Sequence, residues 1–382
     1  MSSVARFLPA IALALAASIA AFPARASSPD MNGTLSNRPL LSVVIATYNR
    51  ANDLDRAIKS VLAEPGEFFE VIVGDDGSPD HTPEVVSRHR GDPRLRDYRN
   101  PTNLGMRDNY LKIFREARGD YLFILTDDDY LLPGALAKVA QIAGDHPEVG
   151  YMLSDLPTVD ERTGAVVNLH RTYSRTIIVQ PSLAAMAHIS RSAWVLSRQV
   201  IRRDQVDWVT WEKFKSNIFF PIIFAGRALL QAPCYYLAEP LVRHTWFNKV
   251  YWSAFGRNEL DIQFNLALDS FKCMRAILHD HAPTLESVAV IDRWEANAFK
   301  SYLYLPHLGF YDLVKTLGGR AALQKLRGTY TLNSAQRLEL LLFPVKIPFA
   351  RAWANLKAAG RRLPAPIVAS LKSFRNRFVP NA

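Results

Sequence analysis

Three apolar runs, each closed by a polar cluster, organise the first third of the chain. Leu40–Ala46 is apolar and β-branched without alternation, the pattern of a strand buried on both faces of a parallel sheet. Phe69–Val73 and Tyr121–Leu125 repeat it, and Arg96–Arg99 reads as a short edge strand. Between them the apolar spacing becomes helical. Leu54, Ala57, Ile58, Val61 and Leu62 share a face within Asp53–Leu62, and Pro83–His89 reads as a helix. Tyr110, Leu111, Phe114 and Ala117 share a face of Arg107–Arg118, where Gly119 is the expected stop. Pro133 opens a helix through Ile142. Strands alternating with helices predict an α/β domain, a mainly parallel sheet flanked by helices.

Beyond Val149 the pattern is mixed. Gly150–Ser154 and Ala193–Ser197 are strand-like, and Ile218–Phe224 is apolar around Pro221. Past Asn258, stretches near 259–279, 284–302 and 311–327 read as helical. The expected organisation is an N-terminal segment (1–39), the α/β domain (40–250), a C-terminal helical extension (251–335) and a basic tail (336–382).

Ligands of open α/β sheets bind beyond the carboxyl ends of the strands. Three polar clusters fall there: Thr47-Tyr48-Asn49, Asp75-Asp76-Gly77 and Asp127-Asp128-Asp129. Three adjacent like charges repel one another, and a fold that keeps them together calls for a cation. Hard divalent ions such as Mg²⁺ or Mn²⁺ prefer such oxygen ligands, and the same ion could hold a diphosphate.

The net charge is +10, and from Arg337 onward there are nine Lys/Arg against one Glu. The remainder is nearly neutral, which argues against a general nucleic-acid binder. The tail suits peripheral contact with an anionic membrane. Cys234 and Cys273 are too few for a disulfide framework and fit a reducing compartment. Arg6 followed by the sixteen uncharged residues Phe7–Phe22 and then Ala24-Arg25-Ala26 mimics a secretory signal. Met31 offers an alternative start, so export, an uncleaved anchor and a misassigned start stay open. A cytoplasmic protein, at the inner face of the membrane, is the expectation that follows from the last.

The segments Val43-Val44-Ile45-Ala46-Thr47-Tyr48-Asn49-Arg50, Val71-Ile72-Val73-Gly74-Asp75-Asp76-Gly77-Ser78, Asn103-Leu104-Gly105, Ala117-Arg118-Gly119-Asp120-Tyr121 and Thr126-Asp127-Asp128-Asp129 with Leu132-Pro133-Gly134 occur in that order. Together they make 41–145 resemble the family 2 glycosyltransferases, which have the GT-A fold. The resemblance implies a nucleotide-diphospho-sugar donor, a carbohydrate or lipid-linked acceptor and a divalent cation (Mn²⁺ or Mg²⁺). It implies donor contacts from Ala46, Thr47, Tyr48, Asn49, Asp75, Asp76, Asn103, Gly105, Arg107 and Asp127, with Asp76 accepting from the base ring N–H. The family's acidic motif often opens with Asp, and Thr126 stands there in this chain. Asp128 then becomes the expected direct metal ligand, Asp129 a nearby one, and His244 a third ligand or a phosphate contact.

Transfer with inversion needs a base for the acceptor hydroxyl. Where the family supplies an acidic residue this chain has Ser216-Asn217, so Glu212 is the expected base, with Asp207 and Asp155 as alternatives. Trp194, Trp208, Trp211, Trp246 and Trp252 are candidates for an acceptor site. Two further readings are a degenerate nucleotide- or carbohydrate-binding protein and a nucleotidyltransferase. The latter calls for a Gly-rich loop after the first strand, which Thr47-Tyr48-Asn49-Arg50 lacks.

Overall fold

The structure is a computed structural model and describes residues 38–189, 195–213, 220–246, 273–284 and 286–289, with Ser192 and Asp292. The expectations for 1–37, most of the C-terminal helical extension and the basic tail lie outside these residues, as do those for Trp194 and Trp252.

The alternation read from the sequence is built as expected. β1 (Leu41–Thr47) leads to α1 (Ala51–Leu62), β2 (Phe69–Asp75), α2 (Thr82–His89), β3 (Leu95–Arg99), α3 (Met106–Glu116) and β4 (Tyr121–Ile124). β5 (Tyr130–Leu131) and α4 (Ala135–Asp145) follow. β1 pairs in parallel with β2 and β4, and β2 in parallel with β3. Every residue of β1 and β2 is buried, as their unbroken apolar patterns require.

Helix α3 ends at Glu116, with Ala117 already extended, so Gly119 does not stop it. Gly119 instead passes close to β1: a Cβ there would lie 2.5 Å from the Ser42 nitrogen. Its N–H donates to Ser42 Oγ at 2.8 Å.

The second half of the sheet is mixed rather than parallel. It comprises β6 (Tyr151–Asp160), β7 (Val166–His170), β8 (Ile177–Val179), β9 (Gln199–Arg202), β10 (Cys234–Pro240) and β11 (Val242–Trp246). The main order is β3-β2-β1-β4-β9-β6-β10-β8. β9 runs antiparallel to both β4 and β6, joining the two halves. The strand expected at 193–197 lies later, at Gln199–Arg202, after a 3₁₀ turn at Leu196–Arg198. From residue 220 onward the apolar run around Pro221 lies in a helix, α7 (Phe220–Gln231), following α5 (Leu183–Ile189) and α6 (Trp208–Lys213). A further helix spans 273–281, inside the expected 259–279 stretch and just past it.

Candidate functional site

Parallel pairing of β1 with β2 sets Thr47 opposite Asp75, at the carboxyl end of both strands. Thr47 Oγ1 donates to Asp127 Oδ2 at 2.8 Å, and the Asp76 N–H donates to the Thr47 carbonyl at 3.0 Å. One threonine therefore joins the three clusters. Burial runs through Ala46 and Thr47 to the end of β1, while Tyr48 is 44% exposed. Asn49 is held in the left-handed region (φ 58°), with its N–H donated to Ser78 Oγ at 2.9 Å. A non-glycine residue there is uncommon and marks a constrained loop.

The two acids after β2 have separate tasks. Asp76 accepts from Asn100 Nδ2 (2.8 Å), the Leu104 N–H (2.9 Å) and the Gly105 N–H (2.8 Å). It thereby shapes the Asn103-Leu104-Gly105 turn, in which Asn103 Oδ1 also accepts from the Gly105 N–H at 2.8 Å. Asp75 Oδ1 accepts from the Ser78 N–H at 2.9 Å. Asp75 Oδ2 is buried without a hydrogen bond, with Arg99 Nη1 3.4 Å away. Arg107 is buried and donates to the Trp211 carbonyl at 2.7 Å, tying α3 to α6.

Asp127, Asp128 and Asp129 are all buried. Burial, followed by the charge of Asp128, pushes the Asp127 carboxyl up to about 7 against the pull of Arg50 and the Thr47 hydroxyl. Burial and then the Asp129 charge likewise raise Asp128. Arg50 Nη1 lies 2.7 Å from Asp128 Oδ2 and 3.5 Å from Asp127 Oδ1, so one cationic nitrogen bridges both carboxylates. Arg56 Nη2 (3.0 Å) and Thr245 Oγ1 both donate to the Asp128 carbonyl. Thr126 is fixed from behind by Ser197 Oγ, which accepts from its N–H at 2.9 Å.

Asp129 turns the other way. Its carboxylate lies 2.9 Å from His244 Nδ1 and accepts from the Thr245 N–H at 3.1 Å. The antiparallel pairing of β11 with β5, Arg243 opposite Tyr130, brings His244 there. Burial lowers the His244 imidazolium, but the hydrogen bond and charge of Asp129, reinforced by Asp128, raise it overall. With Nδ1 committed to a carboxylate, Nε2 is the nitrogen that can serve a metal or phosphate. His170 meets the His244 ring edge-on at 6.3 Å. Burial, with Arg198 and His244 nearby, lowers its imidazolium to about 4.

Among the described residues, no group of three or more His, Cys, Asp or Glu is arranged to hold a metal ion. The donor chemistry nevertheless fits one. Asp127 and Asp128 form a buried carboxylate pair around a shared cation position, and Mg²⁺ is commonly held by one or two carboxylates plus substrate phosphates. Asp127 and Asp128 share Arg50 Nη1, whereas Asp129 faces His244.

Of the expected bases, Glu212 and Asp207 belong to the α6 region, while Asp155 lies on β6, level with the start of the acidic run. Glu212, exposed on α6, pairs with Arg115 in the last turn of α3, away from the strand ends. Asp207 Oδ1 accepts from the Thr210 N–H at 3.0 Å and Oδ2 lies 3.2 Å from His281 Nε2. Buried Asp155 accepts from Arg171 Nη2 at 2.6 Å and from the Tyr236 hydroxyl. Trp208 stacks on Trp211, whose ring is buried in the core. Sequence reasoning gave Arg50, Arg56, Ser197 and Thr245 no role. Arg50 carried a signal, its place in the Thr47–Arg50 segment, whereas the other three act from afar on main-chain atoms.

Residues 42–203 match the family model described as Glycosyl transferase family 2. GalNAc(5)-diNAcBac-PP-undecaprenol beta-1,3-glucosyltransferase of Campylobacter jejuni is 37% identical over 109 residues, 28% of this chain and 35% of that protein. Succinoglycan biosynthesis protein ExoO of Rhizobium meliloti is 36% identical over 119 residues, 29% of this chain and 34% of that protein. The chain spans about a third of the length of the curated relatives it matches. Among solved structures, S. aureus TarS 1–349 in complex with UDP-GlcNAc aligns over 85% of this chain and 93% of that chain, with a TM-score of 0.49 and 17% identity.

Proposed function

We propose, from the premise that residues 42–203 belong to glycosyl transferase family 2, that this chain transfers a sugar from a nucleotide-diphospho-sugar to an acceptor hydroxyl with inversion. The observation that carries this reading is the Thr47 hydrogen bond to Asp127 with Asp75 opposite in register, which makes one site of three strand ends.

The donor's base would sit by β2, where the spare Asp75 Oδ2 suits a ring N–H better than Asp76, already occupied by three protein donors. The exposed Tyr48 ring offers a surface for stacking. The diphosphate would lie by the acidic run, with a divalent cation (Mn²⁺ or Mg²⁺) on Asp128 and Asp127. Bound there, the cation supplies charge neutralisation as the glycosyl–phosphate bond breaks. Asp129 holds His244 by Nδ1 and leaves Nε2 for the phosphate or the metal. Glu212 pairs with Arg115 away from the strand ends and Asp207 is committed to a helix cap and His281, so in this arrangement neither would reach an acceptor hydroxyl beside the donor.

The names of the Campylobacter and Rhizobium relatives favour an acceptor in surface polysaccharide assembly or on a lipid carrier. Peripheral membrane contact through the basic tail would bring the chain to such an acceptor. None of the described helices is long and apolar enough to cross a membrane. The test is a screen of UDP-, GDP- and TDP-sugars with Mn²⁺ and with chelator. Metal-dependent donor hydrolysis or transfer is expected with one of them, and its absence across the panel would overturn the reading.

A further inference from the structure

We propose that Arg50 is a built-in counter-ion of the Asp127–Asp128 pair, holding the cation position until a divalent ion displaces it. The inference rests on the glycosyltransferase reading of the site and adds an exchange step to it. A single nitrogen, Arg50 Nη1, contacts both carboxylates, at 2.7 and 3.5 Å. Two buried negative charges in contact need compensation, and one guanidinium supplies half of it. A divalent ion supplies all of it, so the exchange is favourable in charge.

The surroundings suit a side chain that moves while its frame stays. Arg50 is the residue just before α1, with a non-helical backbone (φ −142°, ψ 47°). Its neighbours are tied down on both sides: the Asn49 N–H to Ser78 Oγ, and the Ala51 N–H to Asp80 Oδ2 at 3.1 Å. The Asp128 main chain is held independently by Arg56 and Thr245, so it keeps its place when Arg50 leaves. The Arg50 side chain also keeps 16% of its surface open. A guanidinium freed there meets the diphosphate that accompanies the ion, and phosphate is a group it pairs with bidentately.

The experiment measures Mn²⁺ binding by electron paramagnetic resonance, without nucleotide, in the full chain and in Arg50→Met, Arg50→Lys and Asp128→Asn. Arg50→Met should bind Mn²⁺ on the order of tenfold more tightly than the unmodified chain, the scale of one lost charge-assisted hydrogen bond. Arg50→Lys, which keeps the charge, should stay near the unmodified affinity, and Asp128→Asn should lose binding. Arg50→Met should also melt lower in chelator and recover in Mn²⁺. Equal or weaker Mn²⁺ binding by Arg50→Met, or a lowered melting point that Mn²⁺ leaves unchanged, would overturn the proposal. The two readings fail separately. Tighter Mn²⁺ binding in Arg50→Met with no nucleotide-sugar used by the unmodified chain sinks the transferase reading alone. Nucleotide-sugar turnover with unmoved Mn²⁺ affinity sinks the counter-ion alone.

Discussion

In the β3-β2-β1-β4 half of the sheet, the acids at the strand ends are stacked against one another. In the β9-β6-β10-β8 half, the buried acid is closed off by its neighbours. Asp127 and Asp128 share one guanidinium nitrogen, and Asp75 keeps a buried oxygen without a hydrogen bond. Asp155, on β6, accepts from Arg171 and from the Tyr236 hydroxyl and has nothing to offer a ligand without breaking these contacts. The first arrangement costs stability, because like charges are held in a buried site. The second is a buried carboxylate satisfied by its partners. Among these acids, incomplete satisfaction therefore distinguishes the half that would bind donor, and substitutions in the two halves should differ in what they do to activity and to stability.

The largest effect is expected at Asp128. Asp128→Ala should lower metal-dependent donor turnover by about 10²–10³-fold or more, the scale of losing a preorganised charge-stabilising group. Its melting temperature should hold or rise, since one of two repelling carboxylates is gone. Activity that survives, or a loss explained by unfolding, would erase the contrast between the halves. Glu212→Gln tests whether an acid away from the strand ends takes part at all. If this carboxylate takes the acceptor's proton, transfer should fall by about 10²–10⁴-fold while nucleotide binding persists. Transfer within a few-fold of the unmodified chain would reduce Glu212 to the surface partner of Arg115.

The same contrast explains what could be read in the sequence. β1, β2 and β4 were legible because a strand buried on both faces needs an unbroken apolar run, and parallel pairing places the residues after each run side by side. Thr47, Asp75 and Asp127 meet for that reason. The other half lacks such runs. β10 and β11 carry Tyr235, Glu239, Arg243 and His244 among their apolar residues and gave no strand signal. β9 is four residues long and was read six positions too early, from the apolar character of Ala193–Ser197. Arg56 was invisible because its targets are a main-chain oxygen on Asp128 and a carboxylate on Glu161, 105 residues away. Asp76 was legible as a site residue, but its commitment to the Leu104 and Gly105 N–H groups depends on a turn that only the fold brings under it.

A substitution at the opposite edge of the same half should change stability alone. Gly119 passes so close to β1 that a Cβ would lie 2.5 Å from the Ser42 nitrogen and 2.6 Å from the Leu41 carbonyl carbon. These are backbone atoms in the middle of a sheet and cannot rotate away. Gly119→Ala should therefore cost about 1–3 kcal/mol, the usual range for overpacking. Chemical denaturation reads this directly. Donor affinity should be unchanged, because the strand ends that gather Thr47, Asp75 and Asp127 lie at the far side. A fall in donor affinity with stability intact would mean that the two edges of the half are coupled.

The smallest effect belongs to the surface link between α1 and α2. Asp55 lies 2.5 Å from Lys59 Nζ and 2.8 Å from His89 Nε2. Burial is the largest single influence and pulls its carboxyl up, but the hydrogen bonds and charges of Lys59 and His89 together outweigh it and hold it below the usual 3.8. The sign follows from linkage: a folded value below the unfolded one stabilises the native state above the unfolded pKa, and the contribution disappears as pH falls through the folded value. Asp55→Asn should accordingly cost under about 1 kcal/mol near neutral pH, as solvent-screened pairs do. The difference from the unmodified chain should close as pH drops below 3.8. Urea unfolding of both proteins across that range measures it. A gap that persists in acid would show that the carboxamide disturbs the α1–α2 packing itself, and that this half draws on its helix contacts as well as on its buried strands.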